Sequence, residues 1–103
     1  MNSAETIKEK FSKGNFITSI HCIDRMDERG ISIFDLEAVV NSGDIIEEQH
    51  HGRDPKVIIQ GKAQNGEDCY AVIALSEPNL TVVTVCWFLD DVWADVHGLK
   101  KRK

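Results

Sequence analysis

No stretch of this 103-residue sequence is apolar enough to span a bilayer, and the N-terminal MNSAETIKEKF lacks the apolar centre of a signal peptide. The expected setting is soluble and cytoplasmic, without a membrane partner. Cysteine is scarce and odd in number, and Cys22, Cys69 and Cys86 show no Cys-x-x-Cys spacing. That pattern excludes a disulfide framework and a zinc ribbon, so the three read as buried thiols. Internal repeats, low-complexity segments and linkers are also missing. What remains is one small domain over residues 1–99, followed by a basic tail at 100–103 expected to be disordered. Positive charge is short outside that tail. The net charge of −5 includes the cations Lys100, Lys101, Arg102 and Lys103, so the rest of the chain carries −9. A body that acidic repels a polyanion at long range and excludes extensive non-specific nucleic-acid binding. Any nucleic-acid role must rest on a local cationic site.

Such a site is offered by Ser19 to Gly30, SIHCIDRMDERG. On a 3.6-residue period His21, Arg25 and Arg29 fall four apart and share a face, while Ile20, Ile23 and Met26 lie towards another as a core stripe. Arg25 and Arg29 are like charges at i,i+4, which costs a few tenths of a kcal/mol in an isolated helix. A bound anion would relieve that repulsion.

Helices come first in the chain. Ser3 can cap one in which Ala4, Ile7 and Phe11 form the apolar stripe and Gly14-Asn15 the stop. Phe16 to Thr18 reads as a short link, with Thr18 or Ser19 capping the central helix and Gly30 ending it. Ser32 with Asp35 three residues on resembles a capping box for a third helix with Ile33, Leu36, Val39 and Val40 inward, expected to pair tightly with the second. From Asp44 the period changes to two. Strands are expected at Ile45 to His50, Lys56 to Gln60 (Val57 and Ile59 on one face), Cys69 to Leu75 and Leu80 to Phe88, with turns at Asn65-Gly66 and Ser76 to Asn79. The last of them, LTVVTVCWF, is apolar on both faces and suits an interior strand between the third strand and something distant in sequence. Leu89, Val92, Trp93 and Val96 fit one more short helix. The fold class is therefore α+β, with N-terminal helices on a four-stranded antiparallel sheet.

Two guanidiniums can hold a phosphate or carboxylate bidentately, and an imidazole beside them can pass a proton near neutral pH. Those parts suit RNA cleavage by the ribose 2′-hydroxyl, which needs no metal and no cofactor. In the competing reading Asp35, Glu37, Glu47 and Glu48 pair with the arginines and His21 packs under a strand. His50 and His51 follow Glu47-Glu48, and with Cys69 or His97 they could be taken for a metal site, but no recognisable zinc spacing links them. Strand alternation also sends adjacent histidines to opposite faces. Lys56, Tyr70, Thr81 and Thr84 could face the central helix from the sheet, Thr84 most notably as a hydroxyl within an apolar strand. Trp87, Phe88 and Trp93 could stack on bases, or belong to the core.

In order, the elements SIHCIDRMDERGIS, NSGDIIEE, GK…NGEDCYAVIAL and LTVVTVCW resemble the bacterial domain-of-unknown-function 4258 family, with its Ser-x-His, Arg-Met-x-x-Arg-Gly-Ile, Gly-x-Ile-x-Glu and Thr-Val motifs, from Phe16 to Trp87. That family is grouped with RelE-like toxins and barnase-like ribonucleases. The resemblance implies helices packed on a four-stranded antiparallel sheet, and catalytic residues at His21, Arg25, Arg29 and Thr84. It also implies an RNA substrate and a small antitoxin protein as partner. Two departures stand out: RelE-like toxins are basic and this body is acidic, and the third strand carries Cys69-Tyr70 where the family often has histidine. The function expected is a metal-independent endoribonuclease of toxin–antitoxin type. The alternative is a non-catalytic anion- or protein-binding module on the same face.

Overall fold

A computed structural model describes residues 3–50, 53–88, 93–96 and 99–102. Local sequence signals set each helix. α1 (Ser3–Ser12) buries Ile7 and Phe11. α2 (Ile20–Arg29) is capped by Ser19, whose hydroxyl accepts the Cys22 N–H at 3.0 Å, and is closed by Gly30 at φ 70°. That positive φ is open to glycine at little cost and lets the Ile31 N–H fold back to the Met26 carbonyl at 2.9 Å. α3 (Ile33–Ser42) begins with the expected capping box. Ser32 Oγ accepts the Asp35 N–H, and Asp35 Oδ2 accepts the Ser32 N–H at 2.9 Å.

The sheet has five strands rather than four. β1 (Phe16–Thr18), β2 (Asp44–Gln49), β3 (Lys56–Lys62), β4 (Asp68–Ala74) and β5 (Leu80–Trp87) lie in the order β1-β5-β4-β3-β2. β1 runs parallel to β5 and the other pairings are antiparallel, so the sheet is mixed. Three residues are too few to display a period of two, which is why Phe16 to Thr18 reads as a link. Tertiary contacts make it a strand: Phe16 stacks on Phe11 with ring centroids 4.1 Å apart, and the Asn15 carbonyl accepts the Leu80 N–H at 3.1 Å. β5 is the interior strand expected, its distant neighbour being β1.

The helix expected over Leu89 to Val96 is corrected where it is described. Trp93–Val96 is β6, paired antiparallel with β7 (Leu99–Arg102), which takes in most of the tail expected to be disordered. Residues 89–92, His97 and Lys103 lie outside the described residues, as does His51.

One face of the sheet carries the core. Val57 and Ile59 of β3, Cys69, Ala71 and Ile73 of β4, and Leu80, Val82 and Val85 of β5 pack against Ile7, Phe11, Cys22, Met26, Leu36, Val39 and Val40 of the helices. The tight α2–α3 pair does not form among the described residues: α2 packs on β5, whereas α3 packs on β3 with α1 beside it. Gly61 and Gly43 explain how closely α3 lies. A Cβ on either would overlap the Val39 carbonyl, so the end of α3 rests directly on β3 backbone. On the opposite face Ile58 and Gln60 are also buried.

Candidate functional site

The site is built on α2, and the helix is rotated from the phase its isoleucines suggest. Cys22 and Met26 are buried and Arg29 is half-buried, whereas Ile20 is 80% exposed and Ile23 50%. The inward line is thus Cys22, Met26, Arg29, at i, i+4 and i+7. His21 and Arg25 lie on one side of that line, and Ile23 and Asp27 on the other.

Arg29 is committed to the fold. β1 covers β5 only from Leu80 to Val82; further along, Arg29 Nη1 donates to the Val85 carbonyl at 2.8 Å. The Trp87 indole N–H donates in return to the Arg29 carbonyl at 2.9 Å. These reciprocal bonds pin the last turn of α2 to β5 and make Arg29 a positioning residue. Sequence reasoning missed this because the partner is a backbone carbonyl 56 positions away. Trp87, offered as a stacking platform, packs against the core instead, and Phe88 tilts on Tyr70 at 4.8 Å.

His21 and Arg25 are exposed, one helical turn apart, with no hydrogen bond or ion pair among the described residues. Three of the four carboxylates suspected of neutralising the arginines have partners elsewhere. Asp35 holds Ser32 and the Gln64 N–H, Glu47 accepts from Gln49, and Glu48 lies 3.6 Å from His50. Arg25, with the His21 imidazole one turn away, therefore presents an unpaired cationic edge free to meet an anion.

The sheet does not contribute to that edge as expected. Thr84 pairs with Val72, and its neighbour Val85 enters the core, so the Thr84 hydroxyl is on the face away from α2. Lys56, Tyr70 and Thr81 occupy the same far face, beside the core positions Val57, Cys69 and Val82. Thr81 Oγ1 is 2.8 Å from Ser76 Oγ. Of the four residues singled out, three share α2 and Thr84 is not brought to them.

The other flank of α2 was not foreseen. Thr18, Ile23, Asp24, Met26, Asp27, Ile31 and Ile33 line an open groove of about 340 Å³. The signal that could have revealed it is the alternation of Ile20, Ile23 and Asp24, Asp27 on the side opposite Cys22. The buried thiols add no nucleophile. Burial pushes the Cys22 thiol up, offset by the nearby Arg29 charge, and burial pushes Cys69 up to about 12.

A family model described as domain of unknown function (DUF4258) matches residues 18–87, from the end of β1 to the end of β5, and so includes the whole of α2. No curated protein and no solved structure matches the chain. The match spans most of the sequence and the elements on which the cationic edge is built, and the chain belongs to the domain of unknown function 4258 (DUF4258) family.

Proposed function

We propose that this protein is a metal-independent RNA endonuclease of the toxin type, acting in the bacterial cytoplasm and held in check by a small antitoxin protein. The single observation that supports this reading is the unpaired, exposed His21 and Arg25, one turn apart on a helix whose end Arg29 pins to β5. The grouping of the DUF4258 family with RelE-like toxins and barnase-like ribonucleases, which the motif resemblance implies, supports it as well, as do helices preceding an antiparallel meander.

The chemistry follows from those groups. The ribose 2′-oxygen attacks the adjacent phosphorus, a P–O bond forms, and the bond to the 5′-oxygen of the next nucleotide breaks. Arg25 stabilises charge on the non-bridging oxygens, and His21 accepts the 2′-proton or donates one to the departing 5′-oxygen. Tyr70 and Thr84 are on the far face of the sheet, so solvent makes the second proton transfer. A slow enzyme is the consequence.

His21→Ala and Arg25→Ala should each lower RNA cleavage by about a hundredfold or more. Both side chains are exposed, so thermal stability should change by no more than about 0.5 kcal/mol. Arg29→Ala should lose activity and stability together, because it removes a structural bond. Cleavage unaffected by the first two variants would refute the assignment. The missing second proton-transfer group favours one other reading, a non-catalytic anion-binding module. It would show as RNA binding without cleavage in the parent, undiminished by His21→Ala.

A further inference from the structure

Beyond the cationic edge, the opposite flank of α2 carries a second feature. Ile20, Ile23, Ile33 and Phe34 are exposed on α2 and the start of α3, and Ile23 and Ile33 line the groove floored by Met26 and Ile31. Exposed apolar side chains are ordinary when scattered, but a cluster of this kind around a groove marks a contact surface. Asp24 and Asp27 also line it, exposed and without an ion-pair partner among the described residues. A wholly apolar partner would bury both carboxylates unpaired, which is costly, and an RNA backbone would be repelled. The occupant must bring cations beside its apolar groups.

The protein's own basic segment is not placed to do so. β7, which holds Lys100, Lys101 and Arg102, approaches β2, the edge strand at the opposite end of the sheet from β1. β1 is itself an edge strand, which leaves backbone donors and acceptors beside the groove for an extended segment. We propose that the groove between β1, α2 and the start of α3 docks a segment of a partner protein whose apolar side chains are flanked by lysine or arginine, the carboxylates of Asp24 and Asp27 pairing with those cations.

The test is selection of a random heptapeptide library displayed on phage against the intact protein, followed by titration of the enriched peptides. The expected sequences combine isoleucine, leucine or phenylalanine with lysine or arginine. Their affinity should fall at least about tenfold in the Asp24→Asn/Asp27→Asn double variant, the scale of one lost charge-assisted bond. Ile23→Ser should weaken binding as well, and His21→Ala should leave it unchanged. Because these side chains are exposed, unchanged melting temperatures would show that the variants remain folded. Enrichment of acidic peptides, no enrichment, or binding that survives the double variant would overturn the proposal. Sedimentation velocity on the free protein closes the remaining route: a dimer abolished by Ile23→Ser would mean that a second copy, not a basic partner, covers the surface. None of these readouts depends on RNA cleavage.

Discussion

At the scale of single residues, Asp35 does more than begin a helix. Its Oδ2 closes the capping box with Ser32, and its Oδ1 accepts the Gln64 N–H at 3.0 Å, tying the start of α3 to the β3–β4 turn. Three donors therefore converge on one carboxylate, since the Ser32 hydroxyl also lies 3.1 Å from Oδ2. The Ser32 backbone N–H, chiefly, holds its pKa below the ordinary aspartate value, with burial opposing and the Gln64 N–H assisting. A depressed folded-state pKa means that the folded chain binds fewer protons than the unfolded one. The stabilisation is then complete above about pH 4, the unfolded value, and is lost as pH falls through the folded one. Asp35→Ala should cost about 1 kcal/mol at neutral pH, typical of a lost cap. Melting curves of parent and variant should differ by about 5 °C at pH 7 and converge at strongly acidic pH. A gap that persists unchanged at low pH would show that the carboxylate's charge is not the stabilising element.

At the scale of elements, what was legible in the sequence is what is encoded locally. Ser19, Gly30 and the Ser32/Asp35 pair find their partners within three or four residues, so the ends of α2 and α3 could be read directly. The turn at Asn65-Gly66 was legible for the same reason, and there Gly66 takes φ 82° between β3 and β4. The rotation of α2, the strand β1 and the Arg29–Val85 bond depend on residues far along the chain, and no local pattern betrays them. The pair Ile20/Ile23 looked like core because isoleucine usually is, yet Cys22 and Met26 took the inward line. His21 and Arg25 were legible as a cationic face; that Thr84 would point away from them was not, since its side depends on the irregularity in β5 opposite Val72 and Ile73. The seat of α3 was equally hidden, because it depends on an absence of side chain. Gly61→Ala would drive a Cβ into the Val39 backbone, which cannot swing aside as a side chain could. A loss of about 3 kcal/mol or more is expected, at the upper end of overpacking, measured as a lower urea midpoint with an unchanged slope.

At the scale of the whole molecule, charge is divided between surfaces that lie on opposite flanks of one helix. His21 and Arg25 form the cationic edge, Asp24 and Asp27 the acidic groove, and the chain around them is net negative. A nucleic-acid enzyme that coats its substrate releases many counterions and loses affinity steeply in salt. On the proposed reading the cations of α2 are the ones that meet phosphates, and the acidic body repels RNA beyond them until salt screens it, within about 10 Å at 0.1 M. With Arg29 held by the Val85 carbonyl and His21 replaced, the one contact left to Arg25 gives a slope of log affinity against log salt of about −0.7, and relief of the long-range repulsion makes it shallower still. The measurement is fluorescence anisotropy of a short single-stranded RNA with the His21→Ala variant, which binds without cutting, across a range of sodium chloride. A slope near −5 or steeper would require cations well beyond α2, of which the cluster at residues 100–103 is the obvious source. RNA would then be held at the other end of the sheet, and His21 and Arg25 would lose their claim to the scissile phosphate.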